Sequence, residues 1–206
     1  MYIPPRYEMT ERGEALALMR AYPFALFVLN GEGAPEAAHL PFLTEEEDGR
    51  LYLRAHMARA NPLSEALEQG ARALVIFQGP HGYISPAWTD DPKMVPTWNY
   101  QAVHAYGPVR TIDGKDRCLD LLARMTAQFE EARPDPWRMD GLEPGWKARL
   151  LEATAMFEME VERFEAKTKL SQDKAGERGT AILEGLARES ADPELMAAMR
   201  AALEET

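Results

Sequence analysis

The chain has 206 residues, 46% hydrophobic and 9% aromatic, a composition typical of a globular protein that excludes a mostly disordered chain. Its 34 acidic residues exceed its 23 lysines and arginines, giving a formal net charge of −11, and no run of basic residues offsets this charge. The charge disfavours direct binding to nucleic acid, because a duplex requires clustered positive charge.

Two further features limit the class of protein. The N-terminal sequence MYIPPRYEMTERGE lacks the basic start and the apolar run of a secretory signal. No window approaches the roughly 18 apolar residues of a membrane span. The single cysteine, Cys118, excludes an internal disulfide and is typical of a reducing compartment. We therefore expect a soluble, cytoplasmic protein in which Cys118 packs on a helix face.

The N-terminal third of the chain predicts a helix, three strands and a second helix. Apolar side chains at helical spacing predict the first helix over residues 10–21. Strand-forming segments follow at residues 24–29, 35–43 and 50–54, with a turn signal at Asn30-Gly31 after the first. Asn61-Pro62 combines a capping residue with a proline suited to the first helical position, and predicts a helix that ends at Gly70.

The rest of the chain predicts further strands and then helices. Residues 73–77 predict a strand that Gln78-Gly79-Pro80 breaks, and residues 81–86 another short strand. A strand is predicted over 95–106, closed by Gly107-Pro108, and is followed by a helix over 116–131 and a packed loop over 133–145. Residues 154–164 predict a long final strand, with a helix as the alternative because of Met156, Glu158 and Glu160. Two helices finish the chain, and Asp192-Pro193-Glu194 is a start signal for the last.

This order of elements indicates the fold class. Six or seven strands, most of them joined by short helices, favour a barrel over a sheet built from βαβ units. We therefore predict a mainly β (α+β) fold, a β-barrel with flanking helices and a C-terminal helical annex.

No segment indicates a metal site or a serine nucleophile. None of the four histidines has the spacing of a metal-binding motif; they are His39, His56, His81 and His104. Ser85 lacks the flanking glycines that let a nucleophile project from a strained turn. The sequence therefore identifies no catalytic residue.

The segment LYLRAHMARANP is the first of three polar segments that could bind a ligand. His56 and Arg59 follow a strand and precede the helix start at Asn61. Backbone N–H groups, the helix dipole and a guanidinium favour an anion at such a position. The alternative is that Arg59 forms a salt bridge with Glu65 or with an acidic loop.

The second segment, VPTWNYQAVHAYG, places aromatic surface beside amide groups. Trp98 and Tyr100 alternate with Asn99 and Gln101. Flat heteroaromatic cofactors are bound by apolar faces and a few placed polar groups. The alternative is that the aromatic side chains fill the barrel and a dimer interface.

The third segment, EAKTKLSQDKAGERG, is polar and follows the last predicted strand. A solvated loop is the simpler interpretation. Lys169 and Ser171 could also bind a phosphate.

Seven stretches, in order along the chain up to about residue 180, resemble the PaiB family of FMN-binding negative transcriptional regulators. They are MYIPPRY, PFALFV, HLPF, AHMARANP, FQGPHGYISPAW, VPTWNYQAVHAYG and KLSQDK. The set is specific, although no single stretch would be. Two departures are Thr89-Asp90, where relatives often have tyrosine after the tryptophan, and Asp173, whose carboxylate would weaken binding of a phosphate.

The resemblance implies a split β-barrel related to pyridoxamine-phosphate oxidases and flavin reductases, and a homodimer with FMN in clefts between subunits. It implies a barrel domain over residues 1–166 and a C-terminal helical extension over 167–206, packed on the barrel or on the dimer partner. His56, Arg59 and Asn61 would lie at the phosphate end of FMN. Trp98, Asn99 and Gln101 would lie near the ring. Lys169, Ser171 and Gln172 would complete the cleft.

Three functional hypotheses remain open at this point. The first is a flavoprotein that acts as an FMN-dependent oxidoreductase on an unidentified small molecule. The second is a regulator whose flavin is a sensor or has been lost, acting indirectly through a partner, with the C-terminal helices of residues 175–205 as a candidate docking surface. The third is a haem-binding split barrel, which rests on fold analogy and the four histidines.

Overall fold

The computed structural model describes residues 1–30, 33–174, 176–189 and 191–204. The chain divides into two compact units. Unit 1 consists of Met1–Ala21, Gln78–Val103 and Glu165–Thr206, and unit 2 of Tyr22–Phe77 and His104–Phe164. The predicted turn at Asn30-Gly31 and both limits of the 175–205 segment fall partly outside the described residues.

Eight strands form a sheet in the described part of the chain, in the order β2-β1-β5-β6-β7-β4-β3, with β8 paired to β6. The strands are β1 (Phe24–Asn30), β2 (Pro35–Pro41), β3 (Leu43–Glu47), β4 (Arg50–Ala58), β5 (Arg72–Ile84), β6 (Thr97–Thr111), β7 (Thr154–Glu160) and β8 (Arg163–Lys169). The helices are α1 (Arg12–Ala21), α2 (Leu63–Glu68), α3 (Lys115–Glu130), α4 (Pro144–Glu152), α5 (Glu177–Arg188) and α6 (Pro193–Glu204).

Unit 2 is built on antiparallel strand pairs around an aromatic core. The β1–β2 hairpin pairs Phe24 with Pro41 and Asn30 with Pro35. Alternate residues of β1 are buried, as expected for a strand with one face on the core. Four phenylalanine rings meet there at centroid distances between 4.9 and 6.3 Å: Phe27, Phe42, Phe77 and Phe157. Such aromatic pairs add to the stability gained from burial.

Unit 1 has a core of its own, formed largely by the C-terminal helices. Its buried members come from β5, the end of β8, α5 and α6: Ile84, Leu170, Ile182, Leu186, Leu195 and Met199. Trp88 packs against this cluster, and a Cβ at Gly185 of α5 would lie 2.3 Å from the indole. Only glycine permits this close approach, so α5 lies directly on the tryptophan.

Cys118 occupies the environment expected from the sequence. It lies on α3 in unit 2, half-buried, and packs against a cluster that includes Ile112 and Met125. Its Sγ lies 3.3 Å from the carbonyl oxygen of Ile112. Burial raises the pKa of the thiol, so the neutral form is favoured and the side chain acts as a packing group.

Two predicted strand breaks are wrong, because glycine and proline lie inside strands here. β5 continues through Gln78-Gly79-Pro80, and β6 continues through Gly107-Pro108. A Cβ at Gly79 would lie 2.8 Å from Leu18 Cδ1, and a Cβ at Gly107 would lie 1.9 Å from the carbonyl oxygen of Glu160. These glycines mark close packing against a neighbour rather than a chain reversal.

Other segments also differ from expectation. The predicted strand over 35–43 divides into β2 and β3, and β4 continues to Ala58, so His56 lies within a strand rather than after one. The predicted final strand over 154–164 divides into β7 and β8, separated by Val161 and Glu162, whose N–H groups donate to Leu51 and Tyr106. The sequence analysis did not predict helix α4. None of its residues is buried, so it lacks the apolar stripe from which an amphipathic helix is recognised.

Among the described residues, no helix combines the length and the apolar character needed to cross a membrane.

Candidate functional site

The nine residues predicted to bind a cofactor divide between the two units. Three of them lie in unit 2: His56, Arg59 and Asn61. Six lie in unit 1: Trp98, Asn99, Gln101, Lys169, Ser171 and Gln172.

In unit 2, the Arg59 guanidinium binds carbonyl oxygens at the end of α4. Its Nε donates to Glu152 at 3.0 Å and one Nη donates to Thr154 at 2.9 Å. The backbone N–H of Arg59 donates to Ala153 at 2.8 Å. The last carbonyls of a helix lack partners within it and form the negative end of its dipole, so a cation stabilises them. Arg59 thus attaches the segment after β4 to the C-terminus of α4, and its predicted role at a phosphate stays a prediction.

His56 and Asn61 also have partners within unit 2. The Oδ1 atom of Asn61 accepts a hydrogen bond from the N–H of Leu63 at 3.0 Å, and Leu63 is the first residue of α2. The helix therefore begins one residue later than predicted, with Pro62 rather than Asn61 at the N-cap position. The Nδ1 atom of His56 lies 3.4 Å from the sulfur of Met125. Burial lowers the pKa of His56, because the surrounding side chains disfavour the charged imidazolium.

The buried His56 predicts a loss of stability at mildly acidic pH. Its pKa is lower in the folded chain than the value of about 6.5 expected when unfolded, so between these values the unfolded chain binds more protons. The contribution of His56 is therefore complete above about pH 6.5 and decreases as the pH falls toward the folded pKa. Thermal unfolding between about pH 7 and about pH 5 should show a smaller fall in Tm for His56→Gln than for the wild type. His81→Gln, at an exposed position, is the control; an equal fall in all three proteins would contradict this assignment.

In unit 1, a cavity of about 700 Å³ contains two of the predicted residues, and we call it the larger cavity. Gln101 of β6 and Gln172 line it. The other lining residues come from the first helical segment, the end of β8 and α6: Arg6, Glu14, Thr168, Leu170, Asp173, Ala198, Ala201 and Ala202. Its walls therefore combine two carboxamides, one guanidinium, the carboxylates of Glu14 and Asp173, and a row of small apolar side chains on α6.

A second cavity of unit 1, of about 360 Å³, contains three more predicted residues, and we call it the smaller cavity. They are Asn99, Lys169 and Ser171. Side chains alternate between the two cavities along the chain from residue 168 to 172: Thr168, Leu170 and Gln172 line the larger one, while Lys169 and Ser171 line the smaller one. Thr168 and Lys169 are the last residues of β8, where successive side chains lie on opposite faces, and Leu170, Ser171 and Gln172 belong to the turn after it. A single segment thus contributes to both cavities.

Asn99 is fully buried, and its carboxamide is occupied by other parts of unit 1. Its Nδ2 donates to Ser171 Oγ at 2.9 Å, and lies 3.3 Å from the sulfur of Met199 on α6. Ser171 Oγ in turn lies 3.2 Å from Asn99 Oδ1. Ser171 has φ of +66°, a conformation that costs energy for a residue with a side chain, and this pair of contacts holds it. Asn99 therefore positions the turn after β8.

Lys169 and Gln172 hold the same turn from its two ends. Lys169 Nζ donates to Thr97 Oγ1 and, at 2.7 Å, to the carbonyl oxygen of Trp98. Burial lowers the pKa of Lys169, and the neighbouring Lys167 and Lys174 lower it further. Gln172 Nε2 donates to the Thr168 carbonyl at 2.7 Å, while its Oε1 accepts from the N–H of Leu170 at 2.8 Å.

Trp98 belongs to an aromatic group on the surface of unit 1. Its side chain is 53% exposed. The ring of His81 lies 5.8 Å from it and that of Tyr83 lies 6.4 Å from it, both on β5. Trp98 therefore presents its indole to the surroundings of unit 1 rather than filling its core.

The sequence analysis missed the residues that complete the two cavities. Arg6 and the three alanines of α6 line the larger one, and Lys93 and Arg178 line the smaller one. No local pattern marks them, since they come from segments far apart in the chain. Within the described residues, no group of three or more histidine, cysteine, aspartate or glutamate side chains could hold a metal ion.

Comparison with known proteins identifies the relatives of this chain. Residues 1–163 match a family described as "Putative FMN-binding domain". The protease synthase and sporulation protein PAI 2 of Bacillus subtilis is 36% identical over 174 residues, which cover 84% of this chain and 83% of that protein. The predicted resemblance and the expected flavin cofactor are thereby confirmed.

Solved structures show the fold. The FAD and haem binding protein of Mycobacterium smegmatis has a TM-score of 0.58 at 20% identity, over 79% of this chain and 73% of that chain. The flavocytochrome Anf3 of Azotobacter vinelandii has a TM-score of 0.56 at 19% identity, over 77% of this chain and 67% of that chain. Likeness at this level of identity concerns the fold, and the predicted α+β split-barrel class is confirmed.

Proposed function

Because the chain belongs to the FMN-binding domain family, we propose that it binds FMN without a covalent bond, in the larger cavity of unit 1, and acts as a flavin-dependent redox protein. The observation that carries this proposal is the pairing of two predicted cofactor residues, Gln101 and Gln172, in one cavity of about 700 Å³. Pockets for ligands of this size have volumes of roughly 300–1,000 Å³.

The lining of the larger cavity fits a flavin. Leu170 and the alanines Ala198, Ala201 and Ala202 offer the apolar surface that a flat ring system requires. Gln101 Nε2 donates to Thr168 Oγ1 at 3.3 Å, and its Oε1 could accept a hydrogen bond from the polar edge of a ring. Gln172 is bound within the turn after β8 and contributes to the wall of the cavity. When bound, the flavin supplies the electron and hydride transfer chemistry. The residues of the cavity would orient the ring and exclude water from one of its faces.

The proposal includes a homodimer, which the family resemblance implies. In this arrangement FMN lies in clefts between subunits, and His56, Arg59 and Asn61 would contribute at the phosphate end. We also place the protein in the cytoplasm, on the basis of its single cysteine. The name of the Bacillus subtilis relative refers to protease synthesis and sporulation. For this chain we propose that any regulation acts through a protein partner, because a net charge of −11 opposes contact with a DNA backbone.

A substitution on α6 tests the location of the flavin. Ala201 lines the larger cavity, and a tryptophan there should occupy the space of the ring and lower FMN affinity at least about tenfold, or about 1.4 kcal/mol. Titration of FMN, followed by quenching of its fluorescence, measures Kd. Ala197→Trp is the matched control, since Ala197 is an exposed residue of the same helix outside the cavity lining. FMN binding of equal affinity in both variants would contradict the location, and the absence of FMN uptake by the wild type would contradict the proposed cofactor.

A further inference from the structure

The smaller cavity of unit 1 is positively charged in an acidic chain. Four cationic side chains line it, namely Lys93, Lys169, Lys174 and Arg178. Two carboxylates line it as well, those of Asp91 and Asp173, which leaves a formal excess of two positive charges. The whole chain carries −11, so the sign of the charge in this cavity is opposite to that of the protein. Charges gathered in a concave site attract ions of the opposite sign more strongly than scattered surface charges do.

Ion pairs within the cavity account for only half of the cations. Lys174 lies 2.9 Å from Asp173, and Arg178 lies 2.8 Å from Asp91. Lys169 has only neutral oxygens as its hydrogen-bond partners, those of Thr97 and Trp98. Lys93 has no carboxylate partner among the described residues. The two excess charges therefore belong to Lys93 and Lys169.

The position of Lys169 costs energy that an anion would recover. The ammonium group is partly buried between β6 and the turn after β8, with Lys167 and Lys174 nearby. Both burial and like charges oppose its charged form and lower its pKa. A negatively charged ligand in the cavity would reverse both effects by replacing lost solvation with charge-assisted hydrogen bonds.

The two excess positive charges of the cavity favour an anion with two negative charges over an anion with one. A monocarboxylate would neutralise only one of the two excess charges, whereas a phosphate monoester carries about −1.5 to −2 near pH 7 and several acceptor oxygens. Tyr7 and Thr97 also line the cavity. The Tyr7 hydroxyl is hydrogen-bonded with Asp173 and Thr97 Oγ1 accepts from Lys169, so a phosphate here would have the cationic side chains as its main partners. We infer that the smaller cavity of unit 1, lined by Lys93, Lys169, Lys174 and Arg178, binds a phosphate monoester dianion.

Two molecules could supply this group: FMN itself, through its terminal phosphate, or a separate phosphorylated small molecule. The inference therefore does not depend on the flavin lying in the larger cavity. Inorganic phosphate serves as the probe that is common to both sources.

Calorimetric titration of the full chain with inorganic phosphate tests the inference. One saturable site per chain is expected, and Lys169→Met should weaken it about tenfold or more, as for the loss of a hydrogen bond to a charged group. Lys93→Met should act in the same direction. Because Lys93 is exposed and makes no buried contact, this variant remains informative if Lys169→Met fails to fold. Lys115→Met, an exposed position of α3 in unit 2, removes the same charge and should leave phosphate binding unchanged.

Competition then identifies the source of the phosphate. If FMN displaces inorganic phosphate and riboflavin does not, the smaller cavity holds the phosphate of the flavin, and His56, Arg59 and Asn61 do not form the phosphate end as proposed above. If phosphate binds equally well to protein saturated with FMN, the ligand is a separate phosphorylated molecule. The inference is overturned if phosphate shows no saturable binding, or if neither lysine substitution weakens it relative to Lys115→Met. Phosphate binding without any uptake of FMN would contradict only the proposed function.

Discussion

Replacing Arg54 by methionine is expected to lower the free energy of unfolding by about 3–5 kcal/mol, the usual cost of removing one partner from a buried ion pair. Arg54 lies on β4 in unit 2 and is only 7% exposed. It pairs with three carboxylates on adjacent strands, at 2.6 Å to Glu45 and 3.0 Å to Glu158, and also with Glu47.

The size of this effect comes from what the substitution leaves behind. The hydrogen bond from Arg54 lowers the pKa of Glu47, and the three glutamates raise the pKa of Arg54. Without the guanidinium, Glu45 and Glu158 would face each other as partly buried like charges, which Arg124 can only partly offset through its ion pair with Glu45. Methionine is shorter than arginine but keeps an unbranched apolar stem, so the substitution mainly removes the guanidinium and its ion pairs.

Urea unfolding of matched variants measures the effect. Arg50 lies on the same strand, is largely exposed, and forms an ion pair with Glu160 and a hydrogen bond with Tyr52, so Arg50→Met should change stability little. Adding Glu45→Gln and Glu158→Gln to Arg54→Met should recover part of the loss. If Arg50→Met and Arg54→Met are equally stable, the buried network does not contribute as the structure indicates.

Gly107→Ala is expected to cost about 3 kcal/mol or more, beyond the usual range for a single added methyl group. A Cβ at this position would lie 1.9 Å from the carbonyl oxygen and 2.9 Å from the carbonyl carbon of Glu160. Both atoms are backbone, so no side chain can rotate away. The end of β7 must move from β6, and the pairing between them must open.

Thermal unfolding together with the yield of folded protein checks this prediction. Gly13→Ala is the matched control: it lies inside α1, and its added methyl group would meet nothing within 4 Å. Alanine is favoured over glycine inside a helix by roughly 0.5–1 kcal/mol, so this variant should be slightly stabilised. A Gly107→Ala protein that unfolds at the same temperature as the Gly13→Ala protein would contradict the close approach seen here.

Local patterns predicted many of the individual elements of this fold. The helical spacing of Ala15, Leu16 and Met19 marks α1, and the short apolar run after Pro23 marks β1. Asn61 was predicted to lie at the start of a helix from its type and its place before Pro62, and its side chain does bind Leu63, the first residue of α2. These signals need only the residues of one element, which is why the sequence contains them.

Features that depend on contacts between distant parts of the chain could not be predicted from the sequence. The sequence around Gly107 predicts the end of a strand, whereas in the structure this glycine lies inside β6, directly beside the carbonyl group of Glu160. The sequence predicts that Arg59 binds an anion, whereas its guanidinium donates to the carbonyl oxygens of Glu152 and Thr154, nearly a hundred residues away. The cavities of unit 1 could not be predicted either, because lining residues such as Arg6 and Ala201 lie far apart in the sequence and form no motif.

The discontinuous make-up of unit 1 has a consequence for how the protein is made. All residues of unit 2 precede position 165, so a nascent chain holds the complete unit 2 while the segment from 165 onward is still to be synthesised. Ribosomes add about 5–20 residues per second, which leaves several seconds for unit 2 to fold first. The lining of the larger cavity runs from Arg6 to Ala202 and is complete only once α6 has emerged. A ligand that uses the whole lining of that cavity can therefore bind only after α6 has left the ribosome.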